Sequence, residues 1–385
     1  MQIPRTLVVT NDYPPRIGGI QRSLEALVGR LPADRVAVLC PAWDGADAFD
    51  ASAPYRVFRQ PDRFLWPTPG VARQVRAAIE QFGAEVVLFG STYPLALLGP
   101  GLAKRGTPYV TGAHGFEYWL SIAPGAHGLM RRATSRAARM VVMSSAFIAR
   151  VVRTAVPERV PVSVMYPGAD IETFHPDVAF EGIRDAHALG ERRLVVCVSR
   201  LVRRKGQDVL IRAMPAIRER VPDAALLIVG GGPYRERLEE LAMQAPAGSV
   251  VFAGEVSEAD LPRYYRVGHV FAMPCRNRAG GLEVEGLGLV FLEAAACARP
   301  VVVGDSGGAR ETLIDGVTGV LVEGSDVAAV ADAVAGLLED PSRADAMGAA
   351  GRTRVERRFT WERAAEQLAG WLREAADSRP QASPR

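Results

Sequence analysis

Two glutamates, Glu285 and Glu293, stand eight positions apart in Glu285-Gly286-Leu287-Gly288-Leu289-Val290-Phe291-Leu292-Glu293, an otherwise apolar run broken by two glycines. Acids in such surroundings rarely serve packing, because a buried charge must be paired or hydrogen-bonded. If a helix begins near Gly288, Glu285 lies in the loop before it and Glu293 just over one turn inside. Both then face a ligand held over the helix N-terminus. Carboxylates that accept hydrogen bonds from neighbouring hydroxyls are natural readers of sugar diols. Upstream, Arg200-Leu201-Val202-Arg203-Arg204-Lys205-Gly206 follows the apolar run Leu194-Val195-Val196-Cys197-Val198. Forked Arg200 and compact Lys205 suit the two phosphates of a nucleoside diphosphate. Such cations meet the charge that develops on a departing diphosphate. Taken alone, the same run also reads as a solvated basic turn.

Further candidates follow other apolar runs. Thr10-Asn11-Asp12-Tyr13-Pro14-Pro15-Arg16-Ile17-Gly18-Gly19-Ile20-Gln21 puts paired glycines before a helical pattern, where exposed N–H groups approach an anion or sugar, or simply form a turn. His114, in Thr111-Gly112-Ala113-His114-Gly115-Phe116-Glu117, is either structural or a hydrogen-bonding or basic group in the site. Ile228-Val229-Gly230-Gly231-Gly232-Pro233 resembles a nucleotide turn, but Arg235 stands where a dinucleotide fingerprint needs glycine, so hydride chemistry loses support. Between 118 and 157 there is no Asp or Glu, while Arg131, Arg132, Arg136, Arg139, Arg150 and Arg153 are present. Arg132, Arg136 and Arg139 recur at helical spacing, giving a basic stripe that is either a solvated face or fits an anionic lipid surface or phosphate-bearing acceptor. Nucleic acid is disfavoured because aromatics are not interleaved. No Asp-x-Asp pair or ligand-spaced His/Cys cluster points to a metal.

The elements that must position these residues are legible as short apolar runs bounded by Gly, Pro, Asn or Asp. They fall at 6–10, 36–40, 86–89, 108–111, 140–143, 162–165, 194–198, 225–229, 250–252, 269–273, 300–303 and 319–322. Helical patterns intervene at 20–31, 71–82, 208–220, 235–243 and 327–338. This alternation predicts an α/β protein with parallel sheets covered on both faces. The strands divide six and six, so two doubly wound domains are expected, 1–180 and 181–360. A helix over 361–376, capped by Thr360, is expected to pack back on the first domain, and 377–385 to be a disordered tail. Two such sheets joined by a hinge are expected to face each other across a cleft at their strand carboxyl ends.

At 385 residues and 48% hydrophobic content the chain can bury two cores. Residues 1–180 carry 19 Arg and Lys against 14 Asp and Glu, a balance of +5, and the remainder 27 against 29, a balance of −2. Cys40, Cys197, Cys275 and Cys297 are too scattered for a disulfide framework or zinc spacing, so buried reduced thiols are expected. No signal-like opening occurs, and the longest uncharged stretch, 86–103, is interrupted by Pro94, Gly99, Pro100 and Gly101. A cytoplasmic protein is expected.

Together these motifs resemble those of retaining GT-B glycosyltransferases of family 4, over about residues 6–365. Glu285 and Glu293 match that family's Glu-x7-Glu, Arg200 and Lys205 its Arg-x4-Lys, and Gly230, Gly231, Gly232 and Pro233 its Gly-x-Gly-Pro turn. The 10–21 segment, Cys275-Arg276-Asn277-Arg278, Glu285-Gly286-Leu287-Gly288 and Ser306-Gly307-Gly308 are similar to those of actinobacterial phosphatidylinositol mannoside mannosyltransferases that use GDP-mannose and add the second mannose. The resemblance implies that Arg200 and Lys205 bind the diphosphate, Gly18 and Gly19 approach the donor, Glu293 binds the ribose and Glu285 holds the transferred sugar. It places His114 near that sugar, Val256 at the base through its backbone, and Gly230, Gly286, Leu287, Gly288 and Leu289 along the donor. Asp12 and Glu117 are candidate acceptor contacts. Phe116 stands where that group usually shows a second histidine. The resemblance further implies transfer with retained configuration, a nucleotide-sugar donor and a phosphatidylinositol mannoside acceptor; the lack of metal-ligand spacing favours no cofactor or metal, and the acid-free segment 131–153 is expected to reach an anionic lipid at the inner membrane face. Transfer to a soluble acceptor, use of another nucleotide sugar, and non-catalytic nucleotide-sugar binding remain as alternatives.

Overall fold

The computed structural model describes residues 2–16, 18–123 and 125–378. The chain divides into two compact units. One holds the chain up to Pro167 together with the C-terminal helix Trp361–Asp377, and the other spans Gly168–Thr360. The change of unit at Pro167 comes earlier than residue 180. Ala169 N–H donates to the Phe359 carbonyl at 2.9 Å, so the two chain crossings are tied together inside the second unit. Most of the expected tail, 379–385, lies outside the described residues.

The first unit is built on seven parallel strands: β1 (Thr6–Val9), β2 (Val36–Pro41), β3 (Arg56–Gln60), β4 (Val86–Phe89), β5 (Tyr109–Ala113), β6 (Arg139–Val142) and β7 (Val162–Val164), in the order β3-β2-β1-β4-β5-β6-β7. The central strands Thr6–Val9 and Val86–Phe89 are buried throughout, as expected of β-branched and apolar runs covered on both faces. Six of the seven were expected. The seventh, β3, reads Arg-Val-Phe-Arg-Gln and is an edge strand in which exposed Arg56 and half-buried Arg59, paired with Asp50, break the apolar run that marked the others. The C-terminal helix presents Trp361, Ala364, Ala365, Leu368, Leu372 and Ala375 at three- and four-residue intervals to a core containing Leu24, Leu27 and Val28. Pairs Arg30–Glu362 and Arg139–Glu374, each at 2.6 Å, flank that contact.

The second unit carries six parallel strands: β8 (Leu194–Val198), β9 (Ala225–Val229), β10 (Val250–Gly254), β11 (Val270–Met273), β12 (Val301–Gly304) and β13 (Gly319–Val322), in the order β10-β9-β8-β11-β12-β13. Helices Gln207–Arg220 and Val327–Glu339 pack on each other over this sheet. In both sheets the strand order reverses beside the first strand, between β1 and β4 and between β8 and β11. At such switch points the loops leaving the strands splay to opposite faces and open a crevice for ligands. The candidate residues follow these strands: Asp12 after β1, His114 after β5, Arg200 and Lys205 after β8, and Glu285 after β11.

All four cysteines are buried free thiols. Burial pushes Cys40, Cys197 and Cys297 up to about 12.

Candidate active site

In the second unit, the turn after β9 lies backbone to backbone on the turn after β8. Gly230 has φ 124°, and a Cβ there would stand 2.2 Å from the Ser199 carbonyl oxygen, so only glycine permits the approach. The Leu201 N–H donates to the Gly231 carbonyl at 2.8 Å, fixing the loop that bears Arg200. Arg200 is exposed and makes no ion pair among the described residues. The short turn Arg203–Lys205 then carries the chain inward, leaving Lys205 9% exposed. Lys205 Nζ lies 2.7 Å from Glu285 Oε2, and Arg204 Nη1 reaches the same oxygen at 2.5 Å.

Glu285 is held from its backbone as well. Its N–H donates to Ser306 Oγ at 3.0 Å, its carbonyl accepts from Gly308 N–H at 2.9 Å, and Ser306 Oγ donates to Asn277 Oδ1 at 2.8 Å. Gly307, with φ 54°, has no Cβ to collide with the Glu285 carbonyl, which would lie 2.1 Å away. Burial pushes the Glu285 carboxyl upward, but Lys205 and Arg204 outweigh it and hold the group below its usual range. Glu285 is therefore an ionised acid fixed between two cations. Helix Leu289–Ala296 starts after Gly288, whose φ is 87°. Within it, Glu293 Oε2 accepts from the hydroxyl of fully buried Tyr265 at 2.6 Å. Burial, then the Glu293 charge, raises the Tyr265 hydroxyl well above its ordinary value, so it stays a donor. Val256 follows β10 and is half-buried.

In the first unit, Asp12 Oδ1 accepts from Gln21 Nε2 at 2.8 Å and lies 3.6 Å from Arg16 Nη1. Gly18 and Gly19 start the helix Gly19–Val28, neither with a left-handed φ. His114 is half-buried, with ring Nε2 2.9 Å from the Gly90 carbonyl. Loss of water lowers its pKa, opposed by the Gly90 carbonyl and the Asp12 charge, so the ring is neutral near pH 7. Glu117, the other candidate acceptor contact, is buried with its carboxylate turned onto backbone donors. It is 1% exposed, and its two oxygens accept from the backbone N–H groups of Thr92 at 2.9 Å and His114 at 3.0 Å.

Residues 180–354 match the family described as glycosyl transferases group 1, and 17–173 the one described as glycosyltransferase family 4. The chain is 46% identical over 378 residues, 95% of its length and 97% of the relative's, to the GDP-mannose-dependent α-(1-6)-phosphatidylinositol monomannoside mannosyltransferase of Mycolicibacterium smegmatis. The chain belongs to the family 4 glycosyltransferases. It is also 38% identical to the GDP-mannose-dependent monoacylated α-(1-6)-phosphatidylinositol monomannoside mannosyltransferase of Corynebacterium glutamicum, over 96% of this chain and 97% of that one. Among solved structures, Anabaena Alr3699/HepE with UDP and glucose superposes with TM-score 0.77 at 20% identity, covering 96% of this chain and 99% of that one. Sucrose-phosphate synthase from Thermosynechococcus elongatus gives TM-score 0.77 at 24% identity, covering 96% and 98%. At these identities the likeness is one of fold, two Rossmann-like parallel-sheet domains.

Several residues that hold the candidate side chains were given no role by the sequence. Arg204 stood only as one charge in a basic run, Tyr265 was not singled out, and Ser306 and Asn277 appeared only within motifs of the family resemblance. Their roles depend on partners far away in the chain, and no local spacing signals them. The basic stripe is corrected. The helix His127–Thr134 ends before Arg136, and Arg139 begins β6, where it pairs with Glu374 and stands 5.5 Å from the Trp371 ring centre. Arg153 is spent on the carbonyls of Pro157 and Val160. Arg131, Arg132 and Arg136 remain exposed without ion pairs among the described residues.

Proposed function

We propose that this glycosyltransferase moves mannose from GDP-mannose to a phosphatidylinositol mannoside. The observation that carries the reading is the buried Lys205–Glu285 pair, positioned after β8 and β11, in a chain 46% identical to a GDP-mannose-dependent transferase over nearly its full length. In this reading Glu285 accepts hydrogen bonds from the transferred sugar. Glu293, oriented by Tyr265, binds the donor ribose. Arg200 and Lys205 take the diphosphate, with Gly230, Val256, Gly286, Leu287, Gly288 and Leu289 shaping the donor site and Gly18 and Gly19 approaching it. Leaving-group charge is met by these cations, without a metal. Among the described residues no group of three or more His, Cys, Asp or Glu side chains could hold a metal ion. The acceptor hydroxyl attacks from the face the diphosphate leaves, so the configuration is retained and the departing phosphate takes the hydroxyl proton. Asp12 and His114 serve the acceptor and the sugar.

Peripheral attachment to an anionic membrane face completes the reading. Among the described residues no helix is long and apolar enough to cross a membrane. On the first unit, a groove of about 440 Å³ has Val75, Leu97, Leu98 and Leu102 in its lining and Arg76, Lys104, Arg105 and Arg132 around it. None of these cations has an ion pair among the described residues, which suits a phosphate-bearing amphiphile. A larger hollow of about 550 Å³, lined by Pro108, Arg136 and Arg159, lies by the entry ends of β5, β6 and β7, away from the candidate residues.

The test is transfer of radiolabelled mannose from GDP-mannose into lipid extracts, run against UDP-glucose and UDP-N-acetylglucosamine. Label in a phosphatidylinositol mannoside with GDP-mannose alone is the expected result, and no lipid product from any donor ends the reading. Phe116, 57% exposed where the mannosyltransferase group shows histidine, favours a second reading with a soluble acceptor in place of the lipid. Label in a water-soluble product would support it.

A further inference from the structure

The exit loops of β4 and β5 are locked together by a hydrogen-bond network centred on one acid. Glu117 Oε1 accepts from the backbone N–H of Thr92 and Oε2 from that of His114. Thr92 Oγ1 donates to the Gly112 carbonyl at 2.7 Å, and Thr111 Oγ1 donates to Thr92 Oγ1 at 3.0 Å. Gly112 has no Cβ to meet the Gly90 carbonyl, which would be 2.4 Å away. The loops therefore close tightly enough for that carbonyl to lie 2.9 Å from His114 Nε2.

A carbonyl oxygen only accepts, so Nε2 carries the proton of the neutral ring and Nδ1 keeps the lone pair. Nδ1 has no partner among the described residues. Glu117 governs both conditions of that state. One oxygen fixes the backbone of His114, and the other fixes the loop that supplies the orienting carbonyl. Buried, and surrounded by N–H donors, its carboxylate satisfies groups that no water reaches.

We propose that Glu117 is a positioning residue for sugar transfer: it joins the loops after β4 and β5 and presents His114 as a neutral ring whose unprotonated Nδ1 accepts a substrate hydroxyl. The proposal rests on the reading of His114 as a site residue. Glutamine at 117 supplies one acceptor oxygen and turns an NH2 toward a backbone N–H, so the staple opens on one side while the size of the side chain is kept and its charge is lost.

The experiment combines kinetics with ¹⁵N NMR of ring-labelled histidine in the full chain. In the native protein His114 should show one tautomer, protonated at Nε2, from pH 6 to 8, with slow exchange of the Thr92 and His114 amide protons. Glu117→Gln should keep GDP affinity, lower kcat by about tenfold to a hundredfold, and lose the single-tautomer signature. Glu117→Asp, which keeps the charge at shorter reach, should recover part of both. An Nδ1–H ring in the native protein, unchanged kcat in Glu117→Gln, or a lowered kcat with the histidine signal intact would each overturn the assignment. If Glu117→Gln does not fold, the native tautomer and amide exchange decide the matter. Full activity in His114→Ala, with the native tautomer as expected, would instead remove His114 from the site and leave the staple standing.

Discussion

Lys205 Nζ and Glu285 Oε2 lie 2.7 Å apart, although eighty residues separate them in the chain. Both side chains are largely withdrawn from water, and each makes the other tolerable there. In the proposed reading these two groups engage the diphosphate and the sugar, and one contact would then serve both folding and donor binding.

Removing one partner should therefore cost more than removing both. Glu285→Gln leaves Lys205 and Arg204 facing a neutral group and is expected to destabilise the second unit by about 3 kcal/mol. The double variant Glu285→Gln/Lys205→Met should recover part of that loss. Urea unfolding of the four members of this double-mutant cycle measures the coupling. Both single variants should also reduce turnover roughly 100-fold or more.

The pair fixes the sign of an acid dependence. Glu285 is held below its ordinary 4.5, so its contribution to stability is present above pH 4.5 and is lost as pH falls through its lower folded-state value. Lys205→Met weakens that hold, and acid unfolding should begin at higher pH. Unfolding midpoints measured from pH 6 down to pH 3 in both proteins test it, and superimposable curves would contradict the linkage.

His114 gives a second pH window. Its folded value lies below the ordinary 6.5, so the neutral ring is favoured in the folded state. The stability tied to it is present above 6.5 and lost as pH falls through the lowered value. The acid limb of kcat attributable to this ring should accordingly fall below pH 6.5, and it should disappear from the profile of His114→Gln.

Tyr265→Phe removes the hydroxyl that donates to Glu293 at 2.6 Å and leaves the ring in the core. Calorimetric titration should show GDP affinity weakened roughly tenfold, the loss of about 1.4 kcal/mol, with kcat little changed.

Neighbouring arginines should separate cleanly. Arg204 contacts Glu285, whereas Arg203 lies 5.5 Å over the Tyr234 ring. Arg204→Ala is expected to lower turnover at least tenfold, by about 1.4 kcal/mol or more, and Arg203→Ala to leave it within about twofold. Equal effects would mean that the turn acts only through its net charge.

The sequence alone disclosed the repeating plan. Apolar runs at strand length, separated by helical patterns, mark twelve of the thirteen strands, because a strand buried on both faces must be apolar throughout. Only the polar edge strand β3 lacked that mark. Spacing also exposed Glu285, Glu293, Arg200 and Lys205, since the two cations follow a strand end and the two glutamates bracket a helix start. Which charges meet was decided by the tertiary structure. It turned Lys205 inward onto Glu285, added Arg204, set Tyr265 behind Glu293, closed Glu117 into a staple, and spent Arg139 on Glu374 of the C-terminal helix. Periodicity reports which face of an element is buried. The partner of a charge depends on strand order and loop closure, which bring together residues that no local pattern relates.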